Sequence, residues 1–135
     1  VGAPGAPDGA ERVARAGAGA ARGGGGVGLK GARTGGAAPD GRVATSSSAN
    51  PAMGTGGTGD VLSGVIGSLL GQGVPTWEAA CLGVYLHAVA GEHIRERLGD
   101  AGLMASDLLP EIPRVRRELA RQRSSGERRI GFTPR

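Results

Sequence analysis

Apolar residues recur with helical spacing from residue 60 onward. Val61, Leu62, Val65, Ile66, Leu69 and Leu70 fall at i, i+1, i+4, i+5, i+8 and i+9. That predicts one apolar stripe on an α-helix over about 60–70, ending near Gly71 or Gly73. Gly64, Gly67 and Ser68 lie off the stripe, where a second element could approach closely. The pattern restarts after Pro75. Ala79, Leu82, Leu86 and Val89 recur on one face, Thr76 is the expected N-cap, Glu78 suits the positive helix end, and Gly99 is the expected stop. A third helix is predicted from about Ser106. Ser106 would cap it, Pro110 would sit in its first turn, and Pro113 would bend or interrupt it.

The signal before residue 60 is weaker. "DGAERVARAGAGAAR", 8–22, reads as a weak helix with Asp8 as N-cap, since Gly17 and Gly19 each subtract roughly 1 kcal/mol relative to Ala. "VGLKGART", 27–34, reads as a short strand running into a loop. Residues 35–45 read as a hairpin around Pro39-Asp40-Gly41, a stretch rich in turn chemistry, with Gly35 and Gly36 weakening the first arm. Strands come first and three helices follow. This order predicts the back part of an α/β domain, not a complete alternating unit.

Composition changes the picture in one respect. The 135 residues suffice for one domain with a modest core, but 28 are glycine and there is one Trp, one Tyr and one Phe. The core must rest on Leu, Val, Ile and Ala. Much of the glycine lies in residues 1–41, where "GAGAARGGGGVG" has low complexity. The net charge is +4, and residues 114–135 hold eight arginines against two glutamates. No aromatic stacking platform is interleaved among the arginines, so we read a solvated basic terminus in preference to a nucleic-acid tail. Cys81 is the single cysteine, so neither an intrachain disulfide nor a cysteine metal cluster is expected, which agrees with a reducing cytosol. No stretch approaches about 18 apolar residues, so no membrane span is expected. The sequence starts at Val1 and not at Met, which reads as a fragment or a processed product.

Candidate chemistry concentrates in "NPAMGTGGTGDVLSG", residues 50–64, with five glycines and one carboxylate, Asp60. A helix N-terminus leaves about four backbone N–H groups unpaired and carries roughly half a positive charge. Glycines let phosphate oxygens approach that backbone without a Cβ in the way. Gly56, Gly57, Thr58 and Gly59 supply the turn. The stretch lacks the Gly-Lys-Ser/Thr of a Walker A loop, and no clear strand precedes it as a Rossmann fingerprint requires. Asp60 is informative because a passive phosphate cradle should avoid a carboxylate. Just beyond an anion hole it can take a proton from a hydroxyl that attacks the phosphate. The alternative reading is that Asp60 only charges or caps the helix start.

"NPAMGTGGTGDVLSGVIGSLLGQG" resembles the signature of the ADP-dependent NAD(P)H-hydrate dehydratases, which are ribokinase-like proteins. "LKGARTGGAAPDGRV" at 29–43, "EAACLGVYLHAVAGE" at 78–92 and "GLMASDLLPEIP" at 102–113 agree with that family in order and spacing. The related thiazole kinases carry a cysteine where Asp60 stands. The resemblance implies the C-terminal part of a ribokinase-like α/β fold over 27–120, short strands or a hairpin followed by three helices. Residues 1–26 are then a Gly/Ala-rich weak helix and linker, and 121–135 a basic, disordered tail.

The family removes water from hydrated NADH and NADPH at the expense of ADP or, in eukaryotes, ATP, with Mg²⁺. A terminal phosphoryl group passes to the C6 hydroxyl, and the ring nitrogen expels phosphate. The resemblance makes Asp60 the base and the contact to the hydrated substrate. It gives the adenine nucleotide to Lys30, Gly31, Ala32, Arg33 and Thr34, together with Gly56, Gly57, Thr58 and Gly59. It implies a cytoplasmic enzyme that is a homo-oligomer at full length, with no nucleic-acid or membrane partner. His87 stands where the family usually has a histidine, and we expect it to pack or hydrogen-bond without acid–base duty. Trp77 is expected to pack, and Cys81 to be a buried small hydrophobe.

The chain departs from the family at several places. Gly54 replaces the usual alanine, Ala49 replaces a glycine, and glycines stand where β-branched residues are usual around 23–28 and 35–36. The front half of the domain is absent from the sequence. We therefore expect little or no turnover from this chain alone. Two other functions stay open: a small-molecule kinase of the same superfamily, and a non-catalytic remnant that binds nucleotide.

Overall fold

The computed structural model describes residues 9–23, 26–29, 35–45 and 50–124. Within it, α1 (Gly9–Gly23) precedes a sheet of β1 (Val27–Leu29), β2 (Gly35–Ala37) and β3 (Val43–Thr45). The strands pair antiparallel in the order β1-β2-β3. Leu29, Gly35 and Thr45 align at one end of the ladder, and Val27, Ala37 and Val43 at the other. α1 packs on β1 and β2 and buries Ala16. Glycine pairs in the first arm did not prevent the strand, because the hairpin turn brings its partner alongside.

That turn is built as its residues suggest. Ala38 N–H donates to Arg42 O at 2.9 Å and Gly41 N–H to Ala38 O at 3.0 Å. The Asp40 carboxylate accepts the Arg42 backbone N–H at 3.1 Å and its Nε–H at 2.8 Å. The backbone bond from Arg42, above all, holds the Asp40 carboxyl below its usual range. The Arg42 guanidinium lies 5.0 Å from the Trp77 ring centroid and 3.6 Å from Glu78. The hairpin tip is thus pinned to the start of the long helix α3 (Thr76–Leu98), and Trp77 packs under a cation.

Three helices form the core: α2 (Thr58–Gly71), α3 and α4 (Leu108–Ser124). Leu86, Ala90, Ile94, Leu103, Leu108 and Val115 are buried together with Ala52. This core is aliphatic, as the composition requires. α2 begins two residues before the predicted helix start and ends where Gly73 N–H donates to Leu70 O at 2.9 Å and Val74 N–H to Leu69 O at 3.1 Å, a glycine-closed terminus. α3 ends on Gly99, as expected. Residues 121–124 are helical, within α4.

Several local expectations need correction. Leu70 is 42% exposed, because α2 meets two neighbours and Leu70 faces neither. Gly64 and Gly67 have open space beside them among the described residues. The close helix approach comes instead from α3, whose buried face is Ala79, Gly83, Leu86, His87, Ala90, Gly91 and Ile94; Leu82 and Val89 lie at its margin. Small residues carry no hydrophobic signal, so the pattern placed this face too far round the helix. Thr76 is the first helical residue of α3, not its cap; Pro75 holds the cap position with no side-chain bond. Ser106 lies inside a 3-10 turn, Ala105–Asp107, and Asp107 does the local capping by accepting Met104 N–H at 2.8 Å. Pro113 does not interrupt α4. The Leu109 carbonyl that loses its partner belongs to a residue 59% exposed, so water can serve it. Cys81 is half-buried, not buried, and burial still pushes its thiol pKa up.

α3 and α4 are tied by charge. Glu111 is buried and accepts from Arg97 Nη1 at 2.9 Å and Arg114 Nη1 at 2.8 Å, with His93 Nδ1 3.7 Å from its second oxygen. Two guanidinium groups offset the desolvation of one carboxylate. The clamp anchors the start of α4, and with it the preceding Ala105–Asp107 turn, beside the glycine-rich segment.

Candidate functional site

The glycine-rich turn is held from behind by its own side chains. Asn50 Oδ1 accepts Ala52 N–H at 3.0 Å and starts the 3-10 turn Pro51–Gly54. Thr55 Oγ1 donates to Ala52 O at 3.1 Å. The buried Thr58 hydroxyl lies 2.9 Å from both Met53 O and Thr55 O, so one proton is shared between two carbonyls. The two threonine hydroxyls thus serve the loop's own carbonyls and not its N–H groups.

Gly57 is the N-cap of α2, with φ 86° and ψ −16°. That left-handed conformation suits glycine, and a Cβ there would stand 3.1 Å from the Ala105 Cβ. Among the described residues, the N–H groups of Gly56, Gly57 and Gly59 make no hydrogen bond. Thr58 N–H reaches Thr55 O only at 3.4 Å. Unpaired donors thus converge at the positive end of a helix of 14 residues, the physical form of an anion hole.

Asp60 is the third residue of α2 and is exposed. Among the described residues no side chain caps this helix start. Among the described residues the Asp60 carboxylate has neither a hydrogen bond nor an ion pair. It borders a cleft of about 470 Å³ between α2 and α4, whose walls include Val61, Val65, Leu109 and Ile112 and whose rim includes Arg116. A base standing between an anion hole and an apolar cleft can take a proton from a hydroxyl held in either.

His87 is buried on α3 and its Nε2 lies 2.8 Å from Thr58 O. A carbonyl oxygen only accepts, so Nε2 carries the proton. This matches the expected hydrogen-bonding role. The packing around it was not foreseen. A methyl added to Gly83 would stand 2.5 Å from Ile66 Cγ1, and one added to Gly91 2.5 Å from Met53 Sδ. Gly83, His87 and Gly91, spaced i, i+4 and i+8, form one rail against α2 and the 3-10 turn. The Gly-x₃-His-x₃-Gly spacing was the available signal.

Lys30, Gly31, Ala32, Arg33 and Thr34 lie outside the described residues. Their flanks, Leu29 and Gly35, pair at the same end of the sheet as Thr45, from which the chain runs toward Asn50. Among the described residues no group of three or more His, Cys, Asp or Glu could hold a metal ion. Asp60 is a described carboxylate at the glycine turn, and a Mg²⁺ there would be carried mainly by phosphates and water. Among the described residues no helix is long and apolar enough to cross a membrane.

Comparison with known proteins bears on the same residues. A family model described as NAD(P)H-hydrate dehydratase matches residues 4–114. The chain is 50% identical over 91 residues to a bifunctional NAD(P)H-hydrate repair enzyme of Moorella thermoacetica, covering 67% of this chain and 17% of that protein. It is 45% identical over 94 residues to an ADP-dependent (S)-NAD(P)H-hydrate dehydratase of Neisseria meningitidis, covering 69% and 32%. The fold superposes with a TM-score of 0.76 and 32% identity on an ADP/ATP-dependent NAD(P)H-hydrate dehydratase from Bacillus subtilis co-crystallized with ATP and Mg²⁺, over 81% of this chain and 39% of that one. The chain therefore spans about a third or less of these curated relatives' length. Its sheet and helices are those of a ribokinase-like α/β fold, and the chain belongs to the NAD(P)H-hydrate dehydratase family.

Proposed function

We propose that this chain carries the nucleotide and base portion of an ADP- or ATP-dependent NAD(P)H-hydrate dehydratase, a hydro-lyase of coenzyme repair. The carrying observation is the Asp60 carboxylate, in the first turn of α2 and unpartnered among the described residues, beside three glycine N–H groups that make no hydrogen bond among those residues. Gly56, Gly57 and Gly59 donate to the nucleotide's phosphates, Thr58 shapes the turn, and Lys30–Thr34 complete the nucleotide site. Residues 27–120 are the working segment, the preceding helix braces its sheet, and 121–135 takes no part.

Asp60 takes the proton of the C6 hydroxyl as its oxygen attacks the terminal phosphorus. The P–O bond to the nucleotide breaks, and ADP leaves as AMP. The N1 lone pair then forms the N1=C6 bond and expels inorganic phosphate. Loss of a C5 proton to water restores the dihydropyridine ring. The anion hole stabilises charge on the transferred group, and Mg²⁺, when bound, neutralises phosphate charge.

The test is recovery of NADPH absorbance from hydrated NADPH with ADP and Mg²⁺. A full-length domain that carries this segment should show it, with free phosphate released and no phosphorylated product. The 135-residue chain alone should show little or none. A stable phosphoester would assign the site to a small-molecule kinase. ADP binding without turnover in the full-length domain would make it a non-catalytic remnant.

A further inference from the structure

We propose that His87 is a positioning residue that aims and strengthens the Gly59 N–H as an anion donor; the proposal rests on the functional reading above. The Thr58 carbonyl and the Gly59 N–H belong to one peptide unit. That unit is planar and trans, so its C=O and N–H point in opposite directions. His87 Nε2–H grips the oxygen at 2.8 Å from below. Gripping the oxygen fixes where the N–H points, which is outward past the N-terminus of α2. Gly59 N–H has no hydrogen-bond partner among the described residues, so its direction is otherwise set by one soft helical end.

The bond also polarises the peptide. In an α-helix this carbonyl already takes the N–H four residues on, here Leu62. A second donor draws electron density toward the oxygen and makes the attached N–H a better donor, the usual cooperativity of linked hydrogen bonds. The histidine cannot drift. It is buried, and its helix is seated on either side of it where Ile66 enters at Gly83 and Met53 at Gly91. Met53 also gives its carbonyl to the Thr58 hydroxyl at 2.9 Å. The rail therefore fixes both the carbonyl and the side chain of Thr58, and Gly59 follows.

The experiment uses the whole chain, with ADP affinity by calorimetry, the Gly59 amide resonance by NMR, and melting temperature for each variant. His87→Phe keeps a ring but removes the donor. It should weaken ADP binding about five- to tenfold, the worth of one good hydrogen bond, and displace the Gly59 amide resonance. His87→Gln restores an N–H donor and should return affinity to within about twofold of the parent. A residue that only fills space would give another pattern: melting temperature kept in Phe and lowered in Gln, with ADP affinity of the folded protein unchanged in both. Unchanged affinity and an unmoved Gly59 resonance in His87→Phe overturn the proposal. If both variants unfold, the wild-type ring decides: ¹⁵N shifts of an Nε2–H tautomer support it, and a bare Nε2 overturns it. If wild-type protein binds no ADP, the functional reading fails, while the Gly59 resonance still judges the positioning role.

Discussion

Two groups of glycines meet at this site and do opposite work. In the turn, Gly56, Gly57 and Gly59 bare the backbone: among the described residues their N–H groups make no hydrogen bond. On α3, Gly83 and Gly91 hide the backbone: Ile66 and Met53 fill the space where their side chains would stand. In the proposed function the first group makes room for a ligand; the second makes room for the side chains that seat α3 against α2 and the 3-10 turn. Loss of room on the helix should cost folding, whereas loss of room in the turn should also cost binding.

Gly83→Val breaks the comparison most severely. Its Cβ would start 2.5 Å from Ile66 Cγ1 and 3.6 Å from the Ile66 Cα, and a β-branched neighbour cannot swing aside. We expect a loss of roughly 3 kcal/mol in denaturant unfolding, at the upper end for overpacking. Gly57→Ala should cost less folding free energy, about 1–2 kcal/mol for a left-handed residue with a Cβ. Unlike a purely structural lesion, it should weaken ADP binding measurably in the protein that remains folded. Gly54→Ala sharpens the contrast from the other side. Gly54 has a negative φ and open space around it, so alanine should raise stability by about 0.4–1 kcal/mol through the unfolded chain. ADP affinity should be unchanged.

The sequence made the turn and the helices legible for different reasons. The α2 stripe and the Pro39-Asp40-Gly41 tip announce themselves by period and turn chemistry. The glycine turn was visible because glycines crowded before a helix mark a bared backbone. The α3 rail was not visible. Gly83, His87 and Gly91 look polar or neutral to any hydrophobic count, although all three are buried. Arg42 was missed for a similar reason: its contact with Trp77 joins residues 35 apart in the chain. Thr76 and Ser106 were good caps by type, but Pro75 and Asp107 hold or serve those positions because the preceding turns fix where each helix starts. The roles proposed for Lys30–Thr34 rest on resemblance alone, since a lysine at a strand end has no chemistry of its own to declare.

The most direct measurement is the pair of dehydration rate and ADP affinity in Asp60→Asn, made in a full-length domain that carries this segment. Asparagine keeps the shape and removes the base. The rate should fall roughly 10²–10⁴-fold, the usual worth of general-base catalysis. ADP binding should hold or tighten, because a negative charge beside phosphate is gone. A residue that merely favoured the helix start would behave otherwise, with a stability loss of about 1 kcal/mol or less and a nearly normal rate. A near-normal rate in Asp60→Asn would remove Asp60 as the base and contradict the mechanism at its centre.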